Sequence, residues 1–526
     1  MNYFKLKENG VLQTFSSGLL AAVTLTALTA CATDQIESRP LTTTDSPTAV
    51  AVADEQLADS EITETIKGEF LVARGVPSDA IEVETNEGIV TLSGSVNNIL
   101  AKDRAQRITE MIKGVRSIVN TINVAPSGQS DIEISGDISA ALAADPATES
   151  WEINSTVNNG IVTLTGSVDS WQEKQLVAKV VKGVRGVTGL ENNISVNPDV
   201  VRPDNEIREE VEDALQWDAR VDDGLIEVSV NDGIVTLGGS VGSLHEKSLA
   251  TADAYVTGVS SVVNDPLTVE WWARDQMIRK QMYADATDEE IQDAVKDALL
   301  YDPRVASFNV NVAVDNGEVM LTGNVDNLKA KNAAAQDASN TLGVWNVENQ
   351  INVQPVDEVS QSDITTNVKN ALERDPYVEA SEVDVAVSDS MVTLTGVVDS
   401  YFEKWQAGDA AVRVRGALAV DNNLTVDYEQ LTYETSFYDW DPTVYDYDYA
   451  IASKTDAEIA EDIGDELYWS PFVDRDEVTV AVDNGVATLT GNVDTWNERN
   501  QATEEAYEGG AMSVINQLDV DYDIQS

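Results

Sequence analysis

Apolar residues along this chain fall into two alternating patterns. The first is a stripe at i, i+4 and i+8 that occurs six times: Ile62, Ile66, Phe70; Ile134, Ile138, Leu142; Ile207, Val211, Leu215; Ile291, Val295, Leu299; Ile364, Val368, Leu372; and Ile459, Ile463, Leu467. Residues so spaced share one face of an α-helix, so each stripe predicts an amphipathic helix. In four cases a proline (Pro146, Pro303, Pro376, Pro471) follows the last stripe residue by four positions. It ends the helix by removing a backbone donor and crowding the preceding turn. The second pattern is strict alternation. It is clearest in Val310, Val312, Val314 followed by Val319, Leu321, Val325, and in Val478, Val480, Val482 followed by Ala487, Leu489, Val493. Alternation turns one face of an extended strand into a core.

The punctuation between these segments completes the unit. Asn159-Gly160, Asp232-Gly233, Asn316-Gly317 and Asn484-Gly485 tolerate positive φ and suit a tight hairpin turn. Asp389-Ser390 stands at the same place in the fifth copy and predicts a looser turn, or one of another type. A glycine recurs later in the second strand (Gly94, Gly166, Gly239, Gly323, Gly396, Gly491) on its inward phase. Room for a closely packed helix is the favoured reading, ahead of close approach by a ligand. A second helix then starts at Ser170, Ser243, Ser400 and Thr495, each followed three residues on by a glutamate that reaches back, as in a capping box. Asn98 and Asn327 cap the other two copies. Glycines such as Gly114, Gly183, Gly258 and Gly343 follow the helix, and a last strand ends at Val124, Val196, Val353, Val426 and Val520. The order is α-β-β-α-β, which makes the fold class α+β, with a three-stranded mixed sheet and both helices on one face.

The whole unit repeats. NEGIVTLSGSV at 86 returns as NNGIVTLTGSV at 158, NDGIVTLGGSV at 231, DNGEVMLTGNV at 315, SDSMVTLTGVV at 388 and DNGVATLTGNV at 483, in steps of 72, 73, 84, 73 and 95 residues. Units of about 70 residues can close a modest core alone, whereas solenoid repeats are shorter and depend on their neighbours. The expectation is six beads on a string, at 59–126, 130–198, 203–270, 287–355, 361–428 and 455–524, with linkers at 271–286 and 429–454. The chain has 92 acidic and 33 basic side chains, a net charge of −59. That argues against nucleic acid as a partner, since phosphate binding needs basic patches. A solvated acidic surface is the ordinary reading, and at low salt it should push the beads apart.

The helix, the hairpin around NGxVTLxGxV, the S-x-x-E-K helix start and the closing N-x-I-x-V strand resemble BON domains, named for bacterial osmotically induced and nodulation proteins. The likeness covers nearly all of residues 59–524 in six copies. The N-terminus, MNYFKLKENGVLQTFSSGLLAAVTLTALTAC, resembles a bacterial lipoprotein signal peptide: Lys5 and Lys7, an apolar run, then Leu28-Thr29-Ala30-Cys31. That resemblance implies removal of residues 1–30, acylation of Cys31, and a flexible Thr/Ser/acidic tether over 31–58. Ala32 in place of aspartate favours the outer membrane, facing the periplasm, with surface exposure as the alternative.

Candidate chemistry is sparse. A basic residue follows the second-helix start in all six copies, at Lys102, Lys174, Lys247, Lys331, Lys404 and Arg499. Three positions earlier stands an apolar residue: Ile99, Trp171, Leu244, Leu328, Tyr401 or Trp496. One cation beside an apolar contact is what a phospholipid headgroup site would use; a local ion pair is the plainer reading. The single histidine, His245, aligns with Leu100, Gln172, Lys329, Phe402 and Asn497 and reads as surface. With one His and one Cys no ordinary transition-metal site forms, and no cofactor is implied. Asp-Asn-Gly at 315 and 483 lacks the alternate oxygen ligands of a calcium loop. WWARDQMIRKQMY (271–283) is a basic amphipathic patch, and YETSFYDWDPTVYDYDY (433–449) sets seven aromatics among five acids.

The reading is a non-enzymatic, multivalent envelope lipoprotein that binds phospholipid or other envelope components in osmotic or envelope stress, as the BON resemblance implies. Its partners would be the membrane, through the anchor, and phospholipid or periplasmic proteins. A periplasmic chaperone-like protein and a spacer between outer membrane and cell wall are the alternatives.

Overall fold

The computed structural model describes residues 57–520 apart from 74, 126–127, 146–147, 149–152, 198–201, 274–285, 306–308, 356–357, 400, 427–454, 471–472, 474, 494 and 512. Residues 1–30, Cys31, most of the tether, Pro146, Ser400, Pro471 and the stretch 433–449 lie outside the described residues, as does 271–283 beyond its first three. No helix among the described residues is long and apolar enough to cross a membrane.

Six α-β-β-α-β repeats are present, in an α+β fold. Their opening helices are Asp59–Val72, Asp131–Ala144, Asp204–Trp217, Asp288–Tyr301, Gln361–Arg374 and Asp456–Trp469, each of 14 residues. The helices before Pro303 and Pro376 stop two residues short of the ring, as its clash with the preceding residue requires. The first and third opening helices end at the same point without a proline. The second helices are Ile99–Met111, Trp171–Lys182, Leu244–Asp253, Leu328–Ser339, Tyr401–Val412 and Trp496–Glu508. In every sheet the second hairpin strand is central, antiparallel to the first and parallel to the last, as in Val157↔Val162 and Val162↔Leu190. Four of the last strands are broken in two; those of repeats 2 and 6 run unbroken.

Each core is built as the stripes require. The middle stripe residue (Ile66, Ile138, Val211, Val295, Val368, Ile463) and the central-strand leucine (Leu92, Leu164, Leu237, Leu321, Leu394, Leu489) are fully buried in all six copies. Full burial of one such side chain is worth about 1.5–3 kcal/mol.

The fifth hairpin corrects one expectation. Asp389 and Ser390 take φ of 50° and 61°, the same two left-handed positions as Asn159-Gly160, and Ser388 pairs with Met391 in the common register. The recurrent strand glycine corrects another. Gly94, Gly239, Gly323, Gly396 and Gly491 have φ between 98° and 138°, and a Cβ on any of them would lie 1.9–2.1 Å from the carbonyl oxygen just before the first strand. The glycine therefore lets the two hairpin backbones approach, and it makes no room for a helix. The glycine that faces a helix is the one after the second helix: a Cβ on Gly114 or Gly343 would meet Ile62 or Ile291 of the opening helix at 3.0 or 2.8 Å. In repeat 2 that place belongs to Gly186, whereas Gly183 is an ordinary right-handed cap.

The repeats do not form a string of separate beads. Residues 55–526 make one compact unit, and apolar side chains cross between repeats. Trp217 of repeat 3 packs on the core of repeat 4, and Tyr301 of repeat 4 on that of repeat 3. The loop after the second helix of repeat 4 bonds to the end of the opening helix of repeat 3, Leu342 N–H to Trp217 C=O at 2.9 Å and Ala219 N–H to Asn340 C=O at 2.9 Å. Repeat 2 docks on repeat 5 in the same way: Arg185, the counterpart of Leu342, donates its N–H to Arg374 C=O at 2.8 Å. At the corresponding surfaces of repeats 1 and 6, Lys113 lies 5.1 Å from the centre of the Tyr468 ring. The chain therefore folds back on itself, pairing 3 with 4, 2 with 5 and 1 with 6.

Candidate functional site

The start of the second helix, where the sequence points, is mostly an internal joint. Ser170, Ser243, Asn98, Asn327 and Thr495 cap it as expected. The glutamate does not reach back to the N-cap N–H as a capping box would. Glu246 accepts from Gly242 N–H and, across the fold, from Asp222 N–H at 2.8 Å; Glu403 accepts from Asp399 N–H and from Glu379 N–H at 2.7 Å. It thereby ties the second helix to the loop behind the opening helix. True capping boxes stand on the opening helices instead, at Ser130/Glu133, Thr287/Glu290 and Thr455/Glu458.

The recurrent cation has a structural partner in three copies. Lys102 Nζ donates to Ile122 C=O (2.8 Å), Lys247 Nζ to Leu267 C=O (2.6 Å), and Arg499 to Leu518 C=O (2.9 Å), all at one position of the last strand. The ammonium groups of Lys174, Lys331 and Lys404 make no such bond among the described residues. The neighbouring apolar residues turn toward other repeats: Ile99 joins the core of repeat 2, Leu244 packs on that of repeat 1, and Trp171 stacks on Tyr255 of repeat 3 at 4.4 Å and 5°.

Three recurrent polar residues make structural contacts, and of these only the asparagine, the first residue of the N-x-I-x-V motif, was singled out from the sequence. The first residue of the opening helix is aspartate in five copies, and its carboxylate accepts both turn N–H groups. Asp131 takes Asn159 and Gly160 at 2.9 Å each, and Asp59, Asp204, Asp288 and Asp456 do the same. The fifth copy has Gln361 there, and it is also the copy without the turn glycine. On the last strand, Asn120, Asn192, Asn349, Asn422 and Asn516 each donate to the backbone carbonyl of the recurrent basic residue. At the end of the opening helix, Asp145, Asp218 and Asp375 are buried and Asp302 is half-buried.

Asp218, Asp302 and Asp375 border a cleft of about 1710 Å³ among repeats 1 to 5, to which repeat 6 contributes Asn500. The docking of repeats makes this cleft, and the spacing of motifs within a repeat does not foretell it. Lys329 of repeat 4 pairs with the buried Asp145 of repeat 2 at 2.6 Å. Arg104 of repeat 1 lies 4.5 Å over the ring of Phe402 of repeat 5, and the Tyr377 hydroxyl donates to Gly75 C=O at 3.1 Å. Asp253 and Asp337 hold equivalent places beside Asp218–Arg220 and Asp302–Arg304; burial first, then the neighbouring aspartate, pushes both carboxyls well above the usual carboxylate range. Burial raises Asp375 to about 6. His245 is half-buried between repeats and not simply surface: burial, then the charge of Arg220, lowers it to about 4.

Comparison with known proteins agrees with this architecture. The family model for the BON domain matches residues 58–126, 130–198, 203–270, 287–355, 360–428 and 455–522. Osmotically-inducible protein Y of Escherichia coli is 26% identical over 190 residues, which are 34% of this chain and 94% of that protein. Outer membrane lipoprotein DolP of Haemophilus influenzae is 36% identical over 146 residues, 27% of this chain and 71% of that protein. A solved structure of CdsD, a structural protein of the type III secretion system of Chlamydia trachomatis, overlaps 43% of this chain and 94% of that one with 17% identity and a TM-score of 0.12, too little to argue from.

Proposed function

The chain belongs to the BON domain family, and on that premise we propose that it is an envelope lipoprotein without catalytic activity that binds phospholipid or other envelope components and protects the envelope under osmotic stress. The observation that carries this reading is the coincidence of six BON repeats with Cys31 at the end of a lipoprotein-like leader, in a chain related to proteins named osmotically inducible and outer membrane lipoprotein. Acyl chains on Cys31 would hold the packed body at the periplasmic face of the outer membrane. With repeats docked on one another, weak contacts would be presented as one array, so their avidity would depend on a fixed spacing and less on linker length.

Of the six recurrent cations, Lys174, Lys331 and Lys404 are the candidates left for a headgroup, since Lys102, Lys247 and Arg499 are committed to strand carbonyls. Bulk charge opposes an anionic surface, so local contact must outweigh it, and more easily at higher salt. Two measurements test the reading. Cys31→Ser should release the protein from the membrane fraction. Cosedimentation with anionic and zwitterionic vesicles should drop several-fold when Lys174, Lys331 and Lys404 are all changed to Glu. No binding at any salt, or binding indifferent to the triple change, overturns the phospholipid reading. Suppressed aggregation of an unfolded client by the same protein would then favour the chaperone-like alternative.

A further inference from the structure

Three of the six hairpins turn on Asn-Gly: Asn159-Gly160, Asn316-Gly317 and Asn484-Gly485. This dipeptide carries a chemical liability as well as a turn. The backbone nitrogen of the glycine can attack the side-chain carbonyl carbon of the asparagine and close a five-membered imide. The new C–N bond replaces the amide C–N bond, and the amide nitrogen leaves as ammonia with the proton given up by the glycine N–H. Water then opens the ring at one carbonyl or the other and leaves aspartate or isoaspartate. Glycine favours the step because no Cβ crowds its nitrogen.

The surroundings expose one partner of this reaction and hold the other. In all three turns the asparagine is exposed and the glycine buried. The glycine N–H donates to the aspartate that opens the first helix: Gly160 to Asp131 Oδ1 at 2.9 Å, Gly317 to Asp288 Oδ1 at 3.0 Å and Gly485 to Asp456 Oδ1 at 2.8 Å. The other oxygen of the same carboxylate takes the asparagine N–H at 2.8–2.9 Å. The asparagine side chain is tethered as well, its Nδ2 donating at 3.0 Å to the residue before it, Asn158, Asp315 or Asp483. Attack requires the glycine nitrogen to lose its hydrogen and turn its lone pair on the side-chain carbon. A carboxylate bonded to that hydrogen opposes both, since negative charge would build on the nitrogen against a negative charge already there.

The fifth repeat supplies the contrast. Gln361 stands there in place of the aspartate, and the turn is Asp389-Ser390. Where the carboxylate is missing, so is the labile pair. Asp59 and Asp204 make the same bonds to Glu87-Gly88 and Asp232-Gly233, so holding the turn is the contact's general role. At Asn-Gly it has a chemical consequence besides. We infer that Asn159, Asn316 and Asn484 are sites of spontaneous deamidation, each held shut by the aspartate opening its repeat: Asp131, Asp288 and Asp456. Isoaspartate at any of them would insert a methylene group into the backbone at the tightest point of the hairpin, so the modification would undo the turn that the aspartate holds.

Incubation of the whole purified protein at mildly alkaline pH, with deamidation of each site followed by peptide mass spectrometry, tests this. In Asp131→Ala the half-life of Asn159 should fall about tenfold, the loss expected for one charge-assisted hydrogen bond, while Asn316 and Asn484 in the same molecule keep their rates. Ile138→Val weakens the core of the same repeat and leaves Asp131 in place, so the rate at Asn159 should stay as it is. An unaltered rate in Asp131→Ala, or an equal rise in Ile138→Val, overturns the inference. If Asp131→Ala does not fold, repeat 5 decides. Asp389→Asn with Ser390→Gly builds an Asn-Gly turn there without a facing carboxylate. That turn should deamidate several-fold faster than Asn159, and adding Gln361→Asp should bring it back to the rate of Asn159. A new turn as slow as Asn159, or one indifferent to Gln361→Asp, also overturns it.

Discussion

Ser390 carries a left-handed backbone, φ 61°, that its five counterparts leave to glycine. Left-handed conformation costs a residue with a Cβ about 1 kcal/mol, so Ser390→Gly should stabilise the protein by about 0.5–1 kcal/mol in denaturant unfolding. The same chain thus shows what a turn prefers and what it tolerates, since cross-strand pairing holds the register where turn chemistry is poor. Asp375 gives a second test. It is buried against Tyr377 N–H, with Arg413, Arg185 and Asp409 acting on it, and its pKa of about 6 lies above the unfolded value. The folded state therefore binds this proton more tightly, and its contribution to stability grows as pH falls from about 6 toward 4 and is lost as pH rises through 6. Asp375→Asn keeps the acceptor for Tyr377 and should remove that part of the pH dependence, raising stability at pH 7 by about 1–2 kcal/mol. Unfolding curves of both proteins across pH 4–8 would show it. Hairpin turns, helix stripes and caps were legible residue by residue because they depend on neighbours close in sequence. The function of the strand glycine was not, because the carbonyl it admits belongs to the strand across the hairpin.

Elements within a repeat are tied by polar bonds as well as by the core. The aspartate opening five of the six first helices sits about 28 residues before the turn whose two N–H groups it accepts. Asp131→Ala removes both bonds and should cost about 1–2 kcal/mol, with amide exchange rising first at Asn159 and Gly160. The equivalent change in repeat 5, Gln361→Ala, should cost a few tenths of a kcal/mol at most, since no such bond is made there. This tie could have been found in the sequence, as Asp59, Asp131, Asp204, Asp288 and Asp456 stand in register three residues before the first stripe isoleucine and fail only where the turn glycine fails. The link from Glu246 or Glu403 to the loop behind the opening helix was hidden, because a capping glutamate has a sufficient local reason to recur.

At the scale of the whole molecule, repeats that could each close a core instead share their surfaces in pairs. Trp217→Ala should destabilise the protein by about 2 kcal/mol, and hydrogen exchange should show repeat 4 loosening with repeat 3. Independent beads would confine the effect to repeat 3. The sequence by itself determined the repeat, its α-β-β-α-β order and its core residues, because periodicity and turn chemistry act over short spans of chain. It could not determine the pairing of repeats 3 with 4, 2 with 5 and 1 with 6, the half-burial of His245, or the cleft among the repeats. Those depend on which of several similar surfaces meet, and surfaces copied six times look alike in sequence until the folded chain brings each to its partner.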